Sequence, residues 1–260
     1  MESAAKRING ERLVVLGWGR AILMQLAHPL VAQGVADHST FREGRFTRFR
    51  RLHGTIQAML ALTFGSDEES AAAAAGINAI HDRVNGALAE GAGRFRAGTP
   101  YTATDPALLT WVQATLLDSL PLAYEAFVGP LPPGERDRFC AEASAAGWKL
   151  RIPVGSIPTS QAALEDYVGR MLGSGAIAVT RVARELAAEV VRPPGGALLW
   201  PWSTIVPLAT VGWLPPPIRE AYGLAWDDTH ARRLARWCRW IRGARRLTPD
   251  LVTRWPAART

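Results

Sequence analysis

Apolar residues recur at intervals of three and four along most of this chain, and glycine- or proline-rich breaks separate the segments. In the segment 11–36 they fall at Leu13, Leu16, Leu23, Leu26 and Leu30. This spacing places them on one face of an α-helix. We find neither the alternation that is typical of half-buried strands nor a repeat of fixed period. The sequence therefore predicts an all-α fold.

Start and stop signals divide the chain into helices. Ser66 or Asp67 is expected to cap a helix that runs to about Leu88, and Asp105 followed by Pro106 predicts the start of another. Helical spacing is also found in the segments 51–64, 106–127, 135–149, 160–171, 177–191 and 226–241. We expect about eight to ten helices in one domain that spans residues 1–260, because this length suffices for a single buried core.

The charge of the chain is strongly positive, at +7, with a sequence pI of about 10.2. Lys6 and Lys149 are the only lysines among the 30 basic residues, so 28 are arginines. They are dispersed, with tighter groups only at 45–51 and 232–246. We interpret most of them as solvated faces and ion pairs, and we expect no nucleic-acid partner. An anionic partner such as a bound cofactor remains an alternative.

The sequence has no signature of a secreted, zinc-binding or membrane-spanning protein. Cys140 and Cys238 are the only cysteines, and no CxxC or HExxH pattern occurs, which excludes common zinc sites. The polar first twelve residues do not resemble a signal peptide, so we expect a cytoplasmic location. The uncharged segment 198–217 contains five prolines, which make a continuous spanning helix implausible. A buried, broken helix is one interpretation, and a surface that touches lipid or an oily substrate is the other.

Few motifs that carry chemistry are present. Gly17 and Gly19 resemble the start of a dinucleotide loop, but the third glycine and the preceding strand are missing. His81 lies among apolar positions of a predicted helix. It is either an ordinary core histidine or the single imidazole that a haem iron requires. Arg51 and Thr55 have i,i+4 spacing and share a helix face. The simpler interpretation of that pair is a surface arginine and a threonine bonded to its own helix.

A collinear series of segments resembles a known enzyme family. The segments are AILMQLAHPLVAQGVADHSTF, RFRRLHGTIQAMLALTFGSDEES, INAIHDRVNG, YTATDPALLTWVQATLLDSL and VGWLPPPIREAYGLAW. In this order they resemble the family that contains the latex-clearing proteins (rubber oxygenases) and the MpaB-type oxygenase of mycophenolic acid biosynthesis. The resemblance extends from about Leu13 to Pro256. It implies an α-helical fold with a globin-like core that binds haem b.

The resemblance also assigns roles to individual residues. His81 matches the proximal iron ligand, and Arg51 and Thr55 match residues of the haem pocket. Gly54 stands where the latex-clearing branch has a lysine that can occupy the distal iron site, so this chain has no such ligand. Asp37 or His38 is expected to face the distal side as an acid/base group. Their alternative role is to terminate and cap a helix.

Three functions follow from these expectations. The first is a haem-dependent oxygenase that cleaves a C=C bond of an apolar substrate, such as an isoprenoid, with dioxygen as co-substrate. The second is a non-catalytic haem carrier or gas sensor. The third is a helical binding module without haem. The sequence does not indicate the oligomeric state, and contact with a membrane surface is a further alternative.

Overall fold

The computed structural model describes residues 3–38, 45–191 and 202–259, and within residues 45–52 it describes the helix but not the side chains. This part of the chain contains thirteen α-helices. They are α1 Ala4–Asn9, α2 Trp18–Leu26, α3 Pro29–His38, α4 Arg45–Phe64, α5 Asp67–His81, α6 Pro106–Phe127, α7 Glu135–Ala146, α8 Gln161–Gly173, α9 Arg181–Val191, α10 Trp202–Gly212, α11 Pro216–Ala221, α12 Asp228–Leu247 and α13 Asp250–Thr253.

The described residues also include three 3-10 helices and one short hairpin. The 3-10 helices are Arg12–Gly17, Gly147–Leu150 and Pro256–Ala258. Strands β1, Asn85–Ala87, and β2, Pro100–Thr102, pair antiparallel, with Gly86 opposite Tyr101. The predicted all-α fold class is therefore confirmed. The count exceeds the expected eight to ten helices because the segment 11–36 is divided into three elements and because short helices such as α11 and α13 add to it.

The main core forms where α6 packs against α2 and the preceding 3-10 helix. Trp111, Leu117, Leu23 and Met24 are almost completely buried in it. The indole nitrogen of Trp111 donates to the carbonyl of Met24 at 3.2 Å, which satisfies the one polar atom of this large side chain. This core draws residues from Ala4 to Tyr222, so most of the chain contributes to one hydrophobic centre.

The two glycines of the rejected dinucleotide motif are packing residues. A Cβ at Gly19 would lie 2.1 Å from Oγ1 of Thr210 on α10, and one at Gly17 would lie 2.7 Å from the carbonyl oxygen of Ser119 on α6. Glycine therefore permits the close approach of α2 to α10 and of the 3-10 helix to α6.

The helical pattern of residues 11–36 is interrupted between α2 and α3. Helix α3 begins at Pro29, and the two halves of the segment are bent by 107°. Pro29 lacks an N–H and disfavours helical geometry at His28. The carbonyl of Ala27 at this bend accepts from the backbone N–H of Ala178 at 2.9 Å. After the bend, α3 packs against α9 and the hairpin, with Ala32 in the main core.

Helix starts were predicted more accurately than helix ends. Ser66 caps α5 in a capping box with Glu69, and Asp105 caps α6. The expected extension of α5 to about Leu88 is wrong, because α5 ends at His81 and residues 85–87 form β1. A Cβ at Gly86 would lie 2.5 Å from the hydroxyl oxygen of Tyr101, so the pairing of β1 with β2 depends on this glycine.

Several arginines form ion pairs, as the sequence analysis expected, and some of their carboxylate partners are buried. Arg20 donates to Asp118, at 2.6 Å, while Arg245 forms two hydrogen bonds to the buried carboxylate of Glu11. Arg7 lies 2.9 Å from Glu135, whose side chain is completely buried. Breaking such a pair leaves an uncompensated buried charge, at a cost of about 3–5 kcal/mol.

Candidate functional site

The C-terminal end of α3 carries two of the predicted site residues. The carboxylate of Asp37 accepts hydrogen bonds from the hydroxyl of Tyr101, at 2.6 Å, and from the amide of Gln33, at 2.8 Å. Nε2 of His38 lies 2.8 Å from the carbonyl oxygen of Asn85. Because a carbonyl only accepts, this nitrogen is the donor. Both site residues are exposed at the helix end, and contacts with the hairpin hold them in place.

Tyr101 is a site residue that the sequence analysis missed. Its ring is buried, with Gly86 and Gly34 on two sides. Burial, reinforced by the hydrogen bond to Asp37, raises the pKa of Tyr101 well above its ordinary value. The hydroxyl is therefore protonated at neutral pH and donates to Asp37. No local signal indicated this pair, because the two residues are 64 positions apart.

His81 is the last residue of α5 and not a mid-helix residue as the sequence suggested. Its side chain is half-buried, and burial lowers its pKa below the ordinary value. The imidazole is therefore neutral at pH 7, which is the form that binds metals. No side chain among the described residues forms a hydrogen bond with it. The neighbouring Ile80 is 56% exposed, although it is a large apolar residue.

A cationic side chain, Arg151, lies close to His81 in space. Arg151 follows the 3-10 helix Gly147–Leu150 and pairs with Asp82, the residue directly after His81. Its charge contributes to the lowered pKa of His81. Arg151 has a φ of 59°, in the left-handed region that non-glycine residues rarely adopt. No spacing signal pointed to it, since it is 70 residues away in sequence.

The predicted pocket residues on α4 are only partly described. Arg51 and Thr55 lie in α4, as their i,i+4 spacing predicted, but the side chain of Arg51 lies outside the described residues. Thr55 is exposed. A Cβ at Gly54 would meet no heavy atom within 4 Å. Helix α4 packs against α5, which carries His81.

The hairpin joins these elements into one candidate site. β1 begins four residues after His81, and its Asn85 carbonyl binds His38. β2 supplies Tyr101 for Asp37. The structure thus brings Asp37 and His38 next to the chain segment that follows His81. For Arg51 and Thr55 it establishes the helix but not a contact with the other site residues.

The other histidines occupy different environments. His28 is almost completely buried at the bend between α2 and α3, and its Nδ1 has no hydrogen-bond partner among the described residues. Burial, with the nearby charge of Arg94, lowers the pKa of His28 to about 4. His53 is exposed on α4, and His230 pairs with Asp227 near the start of α12. Of these, His28 is the alternative candidate for a ligand.

A cavity of about 400 Å³ lies between the C-terminal end of α9 and helices α10 and α12. Its walls are mostly apolar and include Pro207, Leu208, Val211 and Trp226, with Arg233 at one side. This volume is within the range of small-molecule pockets. None of the predicted site residues lines it.

A comparison with family models identifies the enzyme class. Residues 6–243 match the family described as ER-bound oxygenase mpaB/B'/Rubber oxygenase, catalytic domain. The chain belongs to this family. It is thus a member of an oxygenase family and matches the catalytic domain over most of its length. No curated protein and no solved structure gave a significant match.

The residues of this oxygenase-family chain fit the haem that the resemblance implies. Haem iron requires one protein imidazole, apolar surface for the porphyrin and cations for the propionates. His81 offers a neutral imidazole without a described hydrogen-bond partner, Ile80 offers uncovered apolar surface, and Arg151 supplies a cation. Among the described residues, no group of three or more His, Cys, Asp or Glu side chains is arranged to bind a metal ion.

The described helices of this oxygenase-family chain differ in length and apolar character, the two properties on which a membrane span depends. No single helix among them is both long and apolar enough to cross a membrane. The segments Arg12–Leu26 and Pro29–His38 are long and apolar enough to cross a membrane only if they are counted as one helix, although they are bent by 107°. Thirteen of the 25 residues in these two segments are buried.

Proposed function

We propose that this protein is a haem b-dependent oxygenase that cleaves a C=C bond of an apolar, isoprenoid-like substrate. When bound, haem supplies the iron at which dioxygen is activated, while the protein supplies ligation, orientation and exclusion of water. The family match supports oxygenase activity. The observation that carries the haem proposal is His81, a half-buried neutral imidazole next to the exposed Ile80.

His81 is proposed as the protein ligand of the haem iron. Its lowered pKa keeps the lone pair free at neutral pH, so binding does not require the loss of a proton. Arg51, through the resemblance, and Arg151, through its position, are proposed to balance the negative charge of the propionates. Thr55 is proposed to donate a hydrogen bond within the pocket.

Asp37, His38 and Tyr101 are proposed as the acid/base group of the site. The Tyr101 hydroxyl donates to Asp37, so the pair can hold one proton between a carboxylate and a phenol. His38 binds the Asn85 carbonyl through one ring nitrogen, which leaves the other available for proton transfer. Asp37 and His38 are exposed at the C-terminal end of α3, where a substrate can reach them.

The visible spectrum of the purified protein tests the haem proposal. We expect a Soret band that shifts on reduction and on addition of CO. His81→Ala is expected to lose most of the band, whereas His53→Ala, a change at an exposed histidine, is expected to retain it. Wild-type haem content in His81→Ala would refute the assignment and direct attention to His28. A wild-type protein without haem after expression with adequate haem supply would refute the cofactor itself.

The roles of Arg51 and Thr55 have matched controls. Arg51→Gln should lower haem occupancy well below that of Arg50→Gln, because position 50 is on a different face of the same helix. Thr55→Val should keep haem but change the spectrum or the rate of oxygen consumption with an apolar alkene. The two arginine variants could instead have equal haem content, and Thr55→Val could keep the wild-type spectrum and rate of oxygen consumption. This outcome would show that the face of α4 with Arg51 and Thr55 is ordinary surface. A haem protein that consumes no oxygen with any alkene would be a carrier or sensor.

A further inference from the structure

Helix α12 carries an unusual concentration of positive charge. Residues 229–249 contain seven arginines and no acidic residue. The side of α12 that includes Leu234 and Trp237 packs against the protein. Positions 236, 239, 240, 246 and 247 lie on the opposite side, within about one third of the helix circumference, and all of them are exposed.

Three arginines on this exposed side have no described partner. Arg245 pairs with Glu11, and Arg242 donates to the carbonyl of Ala126, so these two serve the fold. In contrast, Arg236, Arg239 and Arg246 form no ion pair or hydrogen bond with any described residue. Their charges therefore face solvent without compensation from the described part of the molecule.

Large apolar side chains are exposed on the same side of α12 and on α13, the next helix in the chain. Trp240 is 60% exposed and Leu247 is 88% exposed on α12, while Leu251 and Val252 of α13 are 68% and 57% exposed. These four account for half of the eight large hydrophobic residues that are exposed among the described residues. Such clustering is not expected for a surface that is permanently in contact with water. We call Arg236, Arg239, Arg246, Trp240 and Leu247 the α12 surface.

We propose that the α12 surface binds anionic lipid membranes. Arginines attract anionic headgroups, and a tryptophan with aliphatic neighbours can enter the interfacial layer, where amphipathic side chains are stable. A nucleic acid would also attract the arginines, but it offers no apolar environment for Leu247. None of these residues belongs to the candidate haem site, so the proposal does not depend on the proposed function.

The apolar cavity described above is lined in part by residues of α12. Arg233 lies on α12 and lines the 400 Å³ apolar cavity. An apolar compound dissolved in the bilayer would therefore be close to an apolar space in the protein when the α12 surface is docked.

Vesicle co-sedimentation of the full-length chain tests the proposal. We expect binding to vesicles of phosphatidylcholine with added phosphatidylglycerol and little binding to phosphatidylcholine alone. Raising the salt to about 1 M, where charges are screened beyond about 3 Å, should release the protein. The double variant Arg236→Gln, Arg239→Gln should weaken binding about 30-fold, since each arginine near an anionic surface contributes about 1 kcal/mol.

Two further variants separate the charge from the apolar contribution. The control Arg83→Gln, Arg96→Gln removes the same charge from exposed positions outside the α12 surface and should bind nearly as the wild type does. Trp240→Ser, Leu247→Ser should weaken vesicle binding but retain its salt dependence. All these positions are exposed, so circular dichroism should show unchanged folding.

Other outcomes would overturn the proposal. Equal weakening by the two arginine pairs would mean that only net charge matters. Absence of vesicle binding, with binding to duplex DNA that needs Arg236 and Arg239 but not Leu247, would indicate a nucleic-acid surface. Absence of vesicle binding together with a dimer that Leu247→Ser dissociates would assign this surface to a second copy of the chain.

Discussion

The buried imidazole of His28 should make the protein less stable in acid. His28 is 3% exposed, and its pKa is lowered from 6.5 to about 4. The unfolded chain therefore takes up a proton near pH 6.5, while the folded protein resists protonation until about pH 4. Stability is retained above pH 6.5 and lost as the pH falls through this window, because the unfolded state binds more protons.

The magnitude follows from the two pKa values of His28. At pH 5 most unfolded molecules carry the proton and few folded ones do, so unfolding becomes more favourable by about 2 kcal/mol relative to pH 7. Urea unfolding followed by circular dichroism at pH 7, 6 and 5 measures this loss. In His28→Gln and His28→Leu the loss should be smaller by about 2 kcal/mol, even if both variants are less stable at pH 7.

The comparison between variants isolates the contribution of His28. Other titrating groups, including His81, remain in the wild type and in both variants, so their contribution cancels. His53→Gln replaces an exposed histidine and should keep the wild-type pH dependence. If the stability of the wild type and of both His28 variants falls equally between pH 7 and pH 5, the imidazole is protonated in the folded protein and the reasoning from burial is wrong.

Two further predictions concern packing and the candidate site. Gly19→Ala should destabilise the protein by about 1–3 kcal/mol in urea unfolding, because the new Cβ meets the buried Thr210. The control Gly76→Ala, where a Cβ meets nothing within 4 Å, should be neutral or slightly stabilising. Equal effects of the two variants would contradict the close contact at Gly19. Tyr101→Phe should lower the free energy of unfolding by about 1 kcal/mol, because the hydrogen bond to Asp37 is lost. The variant should also consume oxygen more slowly, with unchanged haem content. Loss of haem would instead assign Tyr101 a structural role.

The sequence predicted the fold well where the deciding interactions are local. The caps at Ser66 and Asp105 depend on side chains within three residues of the backbone groups that they bind. These signals are contained in short windows of sequence, so no knowledge of the tertiary structure was needed to identify them.

The C-terminal end of α5 was mispredicted because a tertiary contact decides it. The apolar spacing of Ile77, Ile80 and Val84 favours continuation of the helix, but Asn85 and Gly86 form a strand that pairs with a segment fifteen residues further on. Gly86 is a weak helix former, and this was the available local signal. The error placed His81 in the middle of a helix, whereas it is the last residue of α5.

The candidate site could be predicted only in part for the same reason. The resemblance identified Asp37, His38, His81 and the α4 pair one by one, but their arrangement depends on contacts across large sequence separations. Tyr101 reaches Asp37 from 64 residues away, and Arg151 reaches Asp82 from 69. Neither partner can be inferred from periodicity, since each is set by the way the hairpin and the 3-10 helix Gly147–Leu150 pack.

The hairpin explains why these separate residues can act as one site. Its first strand begins four residues after His81 and binds His38 through Asn85, and its second strand holds Asp37 through Tyr101. A displacement of the hairpin would therefore move the proposed iron ligand and the proposed acid/base group together. Because α3 reaches the hairpin only through the bend at His28, the same bend that creates the acid-sensitive buried imidazole also determines where Asp37 and His38 lie.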